Sequence, residues 1–186
     1  AQMPKILTKV DEHLSDRRHP QHQEAVVTRL LAVTGLRVGS ETNLHDGLTT
    51  LRGENVTIRG GSITLDFIGK SGVRNQQTVV DPALARALKV RMAGPQDRLF
   101  TVSRAQVLGY VKAVAGKNFK TKDFRTWTAT FRAAQFLEGQ PRAKNAKEFA
   151  AVQRDVAKKV SAILGNTPAI ALKSYIDPSV WDGVRN

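Results

Sequence analysis

The chain has 186 residues, 41% of them hydrophobic, enough for one globular domain with its own core. It has no cysteine, which excludes disulfides and thiolate metal sites, and no apolar run approaches the ~18 residues that a membrane helix needs. Its 29 lysines and arginines against 16 acidic residues give a formal charge of +13, which points to a polyanionic partner, nucleic acid before any other. The excess is uneven: 13 basic against 9 acidic residues up to Ala93, and 16 against 7 beyond it. It is densest from Lys112 to Arg125, where Lys112, Lys117, Lys120, Lys122 and Arg125 face only Asp123.

In chain order, a polar first stretch closes at Asp16-Arg17-Arg18-His19-Pro20, so residues 1–20 read as an N-terminal arm or a linker helix. Gln21 to Thr34 has helical spacing through Ala25, Val26, Leu30 and Val33 and stops at Gly35. A loop-rich stretch follows from Thr42 to Gly53. Asn55–Arg59 and Ser62–Ile68 alternate as strands around Gly60-Gly61, and Asn75–Val80 adds a third after the Gly69–Gly72 turn. From Asp81-Pro82 onward the pattern is helical. Asp81 caps one helix, and Ser103 with Gln106 forms a capping box for the next. A helix from about Thr121 to Leu137 carries Phe124, Thr128, Phe131 and Phe136. Another reaches Leu164 with Phe149, Val152, Val156, Val160 and Ile163 on one face and Gly165 as its stop, after an exposed connection at Gln140–Lys144. The fold class expected is α+β: mostly helical, with a small three-stranded antiparallel sheet in one domain spanning 1–186.

Two tyrosines stand in different settings. Tyr110 lies in a valine-rich helical stripe and reads as core with its hydroxyl at the rim. Tyr175 lies between Lys173-Ser174 and Ile176-Asp177-Pro178, after a loop, with no apolar stripe of its own. A phenol is a poor nucleophile at neutral pH unless cations surround it. Arg37, past the Gly35 stop, and Arg125, beside Phe124 and Trp127, offer bidentate donors for non-bridging phosphate oxygens. Lys70, at a glycine-flanked turn, is placed to deliver a proton. Together these residues suggest covalent attack on a phosphodiester. Gly69-Lys70-Ser71 is not a nucleotide-binding loop, because Thr64 stands where that motif needs glycine. His13, His19, His22 and His45 lack metal-ligand spacing and read as surface residues, and there is no acidic cluster for metal ions.

Five segments in this order resemble the catalytic domain of type IB DNA topoisomerases, particularly the short bacterial and poxvirus-like ones. They are Thr34-Gly35-Leu36-Arg37-Val38-Gly39-Ser40-Glu41, Gly47-Leu48-Thr49-Thr50-Leu51, Gly69-Lys70-Ser71-Gly72, Lys122-Asp123-Phe124-Arg125-Thr126-Trp127 and Leu164 to Tyr175. The resemblance implies that Tyr175 attacks a DNA strand to give a 3′-phosphotyrosine, that Arg37 and Arg125 hold the non-bridging oxygens, and that Lys70 is the general acid. It further implies that Asn166 donates to a phosphate oxygen where most members carry histidine, and that Thr50, Arg52, Lys120, Lys122 and Lys173 contact DNA. Double-stranded DNA is the partner expected, with no cofactor, no metal, no membrane and a monomeric state. The expected location is the cytoplasm and nucleoid of a bacterium, or a host cell if virus-encoded, without secretion.

Asparagine cannot carry a proton as histidine does, so slower turnover is expected. The family's N-terminal clamp domain is expected to be absent from these residues, with weaker DNA grip and steep salt dependence in consequence. The alternatives are a tyrosine recombinase or integrase, which shares the fold and chemistry, and a non-catalytic DNA-binding relic. Recombinases usually have histidine three residues before the second arginine, where this chain has Lys122.

Overall fold

Buried residues at helical spacing and capped helix ends account for most of the architecture. The computed structural model describes residues 2–39 and 46–185. Ser40 and Glu41 of the first arginine motif, and residues 42–45 of the loop-rich stretch, lie outside the described residues.

Helix α1 (Met3–Ser15) buries Met3, Ile6, Val10 and Leu14, so it is part of the core and neither a free arm nor a linker. Helix α2 (His22–Thr34) is buried on nearly every face and ends at Gly35, whose φ of 66° lets the chain leave the helix in the left-handed region. Strands β1 (Val56–Arg59), β2 (Ser62–Ile68) and β3 (Arg74–Val80) form an antiparallel sheet in that order. Ile63, Leu65 and Phe67 alternate inward along β2 and hold the sheet on the core. On the edge strand β3 the half-buried residues are Asn75, Gln77 and Val79, two of them polar.

Helix α3 (Pro82–Lys89) is capped by Asp81, which accepts from Leu84 N at 3.1 Å, and α4 (Arg104–Ala115) by the reciprocal Ser103–Gln106 box. Helix α5 (Thr121–Leu137) joins two core clusters. Phe124 packs with the first, built on α1 to α4 and the sheet; Ala129, Ala133 and Leu137 pack with the second, built on α6 (Ala146–Leu164), α7 (Pro168–Ser174) and the C-terminal turn. Gly165, φ 63°, stops α6 as its spacing predicts.

Besides α1, five features differ from the sequence expectations. Helix α7 stands where the sequence reads as loop; its 7 residues are too few to show a period, although Pro168 and the Thr167 cap mark its start. Phe131 does not join the core: it is 49% exposed and stacked on Trp127 at 6.1 Å. His22 is buried, not on the surface. Its Nε2 bonds Leu14 O at 3.1 Å and its Nδ1 faces Arg91 Nη2 at 3.0 Å, because the first turn of α2 meets the end of α1. Burial, with the Arg91 charge, holds that imidazole below the usual histidine range. His13 is half-buried, shares a 2.9 Å hydrogen bond with the Tyr110 hydroxyl and stacks on His19; His45 lies outside the described residues. Tyr110 is core as expected, its hydroxyl closed by His13. Ala143 is buried within the connection expected to be exposed.

Candidate functional site

Arg125 is a cation at 4% exposure, and what holds it is backbone. Nη1 donates to Gly35 O at 2.7 Å and Nη2 to Leu164 O at 3.1 Å, the carbonyls at the C-terminal ends of α2 and α6. Helix C-termini present unsatisfied carbonyls and partial negative charge, so two of them together can hold a guanidinium without a carboxylate. Nε is buried without a partner among the described residues. A guanidinium has five N–H donors, so donors remain for another ligand.

Tyr175 ends α7, half-buried, with its carbonyl accepting from Thr130 Oγ1 at 3.4 Å. Arg125 Cζ lies 4.9 Å from the ring centroid and Lys122 Nζ 5.3 Å. Burial raises the affinity of this phenol for its proton, but the charges of Arg125, Arg37 and Lys122 outweigh it and hold the hydroxyl below the ordinary phenol range. Arg125 in turn sits below the usual guanidinium range through burial and the nearby Arg37 charge, against the favourable pull of Tyr175.

Tyr175, Arg125, Arg37, Lys70 and Lys122 line one cleft of about 250 Å³. Arg37 follows the Gly35 stop; its carbonyl and that of Val38 accept from Leu48 N at 3.0 Å and Thr49 N at 2.8 Å, which pins the segment. Lys70 opens the turn between β2 and β3, next to Ser71, whose φ of 62° is the one positive non-glycine value among the described residues. Arg104, the first residue of α4, and Thr121 and Lys122, in the first turn of α5, complete the basic wall, and among the described residues Asp46 is the one carboxylate on it. Among the described residues Arg37, Lys70, Arg104 and Lys122 form no ion pair. The cleft is therefore a cationic basin beside an acidified phenol, fit to bind an anion and attack it.

The other expected residues lie outside the cleft lining. Asn166 is in the turn between α6 and α7, two residues after the carbonyl that grips Arg125, and both polar atoms of its amide are buried without a partner among the described residues. The Thr50 hydroxyl is closed on Gly47, accepting from its N–H at 2.9 Å and donating to its carbonyl at 3.0 Å. Arg52 donates to Gln96 O, and Lys120 and Lys173 are exposed on α5's cap and on α7. Sequence reasoning misses Arg104, Thr121 and Asp46. Arg104 carries a signal all the same: a cation at the first position of a helix opposes the macrodipole and needs a reason. Among the described residues no group of three or more His, Cys, Asp or Glu is placed to hold a metal ion, and no helix is long and apolar enough to cross a membrane.

Residues 1–179 match the family described as "Eukaryotic DNA topoisomerase I, catalytic core". The DNA topoisomerase 1B of Acanthamoeba polyphaga mimivirus is 30% identical over 162 residues, which cover 76% of this chain and 48% of the viral protein. The chain thus spans about half the length of this curated relative. The XerH site-specific recombinase, solved bound to difH substrate in a pre-cleavage complex, matches with a TM-score of 0.56 over 94% of this chain and 50% of that one. Its 14% identity makes this a likeness of fold alone.

Proposed function

Because this chain belongs to the family of the eukaryotic DNA topoisomerase I catalytic core, we propose that it relaxes supercoiled duplex DNA as a type IB enzyme. The observation that carries the proposal is the Tyr175 phenol, lined by Arg125 and Lys122 and held below its ordinary range, in one cleft with Arg37 and Lys70. The Tyr175 oxygen attacks the phosphorus of one strand and its proton passes to solvent. The bond to the 5′-oxygen breaks as Lys70 supplies that oxygen with a proton, leaving a 3′-phosphotyrosine and a free 5′-hydroxyl. Arg37 and Arg125 stabilise the charge on the non-bridging oxygens; the Asn166 amide, buried outside the cleft lining, would have to turn outward to join them. One phosphodiester is exchanged for another, so bond energy is kept and ATP is not consumed. The cut strand rotates about the intact one, and the 5′-hydroxyl attacks back to reseal it.

Lys122 on the cleft wall and the exposed Lys120 and Lys173 beside it are the DNA contacts this geometry favours; the side chains of Thr50 and Arg52 are engaged within the protein. All the catalytic groups come from one chain, which supports action as a monomer on duplex DNA.

The test is relaxation of negatively supercoiled plasmid with EDTA and without ATP, next to Tyr175→Phe. The wild type should relax it and form a covalent 3′-adduct; the variant should do neither while still binding DNA. Equal relaxation by both proteins would end this reading.

A further inference from the structure

Gln77 makes a pair of contacts that mirrors Arg125. Its Nε2 donates to Thr34 O at 3.1 Å and to Ile163 O at 2.5 Å. These carbonyls immediately precede the two that Arg125 takes, Gly35 O and Leu164 O. Both partners are acceptors, so only the nitrogen end of the amide fits, and both of its N–H bonds are used. Gln77 thus ties the last turns of α2 and α6 to each other and to β3.

The location gives the contact its meaning. β3 is the strand that leaves the Lys70 turn, α2 ends at the segment carrying Arg37, and α6 leads through Gly165 into the helix that carries Tyr175. A second contact supports the same junction: a Cβ at Gly165 would stand 2.6 Å from Asn75 Oδ1, so β3 lies directly against the α6–α7 turn. A sheet residue facing the core is ordinarily apolar. Here Asn75 and Gln77 hold inward positions on β3, the side that meets helix ends whose carbonyls lack intrahelical donors.

We propose that Gln77 is a positioning residue that fixes the Lys70 turn relative to Arg37 and Tyr175, so that proton delivery and attack occur on one phosphate. The inference rests on the proposed function for the roles of Lys70 and Tyr175. Gln77 itself touches no DNA in this scheme. Its loss should leave affinity intact and misplace the general acid, a change of the kind that costs roughly tenfold to a hundredfold in rate.

The experiment compares wild type, Gln77→Leu and Gln77→Lys in single-turnover cleavage of two duplexes, one natural and one with sulfur replacing the scissile 5′-oxygen. A thiolate leaves without protonation far more readily than an alkoxide, so the sulfur duplex has little need of Lys70. We expect Gln77→Leu to be at least about tenfold slow on the natural duplex and near wild type on the sulfur one. Gln77→Lys, which keeps a donor for the two carbonyls, should recover part of the rate. Equal losses on both duplexes, or none on either, would overturn the proposal. A wild type that forms no adduct with either duplex would instead refute the proposed function. In that case backbone hydrogen exchange still decides the coupling: Gln77→Leu should speed exchange together in residues 69–76 and 165–175, and acceleration confined to β3 would refute it.

Discussion

Gly35→Ala tests whether the end of α2 sets the site, and its cost follows from two separate penalties. The new residue must hold a φ near 66°, which costs a residue with a Cβ about 1–2 kcal/mol. That Cβ would also stand 2.8 Å from Leu164 Cδ2 and 2.9 Å from both Cβ and Cγ2 of Thr128. Forcing an atom into a filled core costs about 1–3 kcal/mol. Gly139 supplies the control, with a φ of 74° and nothing within 4 Å of the point a Cβ would occupy. Gly139→Ala should therefore show the first penalty alone, and the two variants should differ by about 1–3 kcal/mol in urea unfolding. A domain of ordinary stability, about 5–15 kcal/mol, survives either change.

The distinguishing readout is chemical. Gly35 O and Leu164 O are the two carbonyls that hold Arg125, and the clash pushes on both residues. A displaced guanidinium should slow covalent adduct formation by about tenfold or more at temperatures where the variant is fully folded. Gly139→Ala should cleave at the wild-type rate. The reasoning fails if Gly35→Ala is no less stable than Gly139→Ala, or if it is less stable and cleaves normally when folded.

Three further outcomes follow from the charges. The chain has 2 tyrosines, and they are displaced in opposite directions: the cations hold Tyr175 low, while burial, with Glu24 and Asp11, pushes Tyr110 up. Ultraviolet titration should therefore show one early tyrosinate step that Tyr175→Phe removes and Arg125→Gln moves to higher pH; two coincident steps would contradict the geometry. The folded state favours the charged form of Tyr175 and the neutral form of Tyr110. Tyr175 thus gains stability as the pH rises from its lowered value to the ordinary phenol value, where the gain is complete, and Tyr110 loses it as the pH rises beyond that value. Arg104→Ala, in the Tyr175→Phe background, should weaken duplex binding and reduce the slope of log affinity against log salt by about 0.9, the loss of one phosphate contact; an unchanged slope would remove Arg104 from the interface.

Elements that announce themselves locally are legible in the sequence. The Gly35 and Gly165 stops, the Ser103–Gln106 box and the Gly60-Gly61 turn each act within a few residues, and each stands where the spacing places it. Gathering Tyr175, Arg125, Arg37 and Lys70 draws on motif order, since nothing local brings residues this far apart together. What escapes depends on distant partners. His22 is buried because α1 returns over α2, and Gln77 lies in a plain polar strand whose partners are 43 and 86 residues away. Arg104 is obscured by the strong capping signal around it, and α7 is too short to show a period.

The departures from local rules gather at one place. Arg104 and Lys122 stand in the first turns of helices, where a cation opposes the dipole. Arg125 is a buried cation held by carbonyls and the Tyr175 ring with no carboxylate, Ser71 occupies the left-handed region beside Lys70, and among the described residues the Asn166 amide is buried unbonded. Each is unfavourable in the free protein, and a phosphodiester in the cleft offsets several at once: it gives two helix N-termini a negative charge to face and the clustered cations a counter-ion. Under the proposed function, part of the free energy of binding is thus the relief of repulsion already built into the cleft. The same cations favour the phenolate and hold the Tyr175 hydroxyl low in the free protein, so under the proposed function the groups that attract the phosphate also ready its nucleophile.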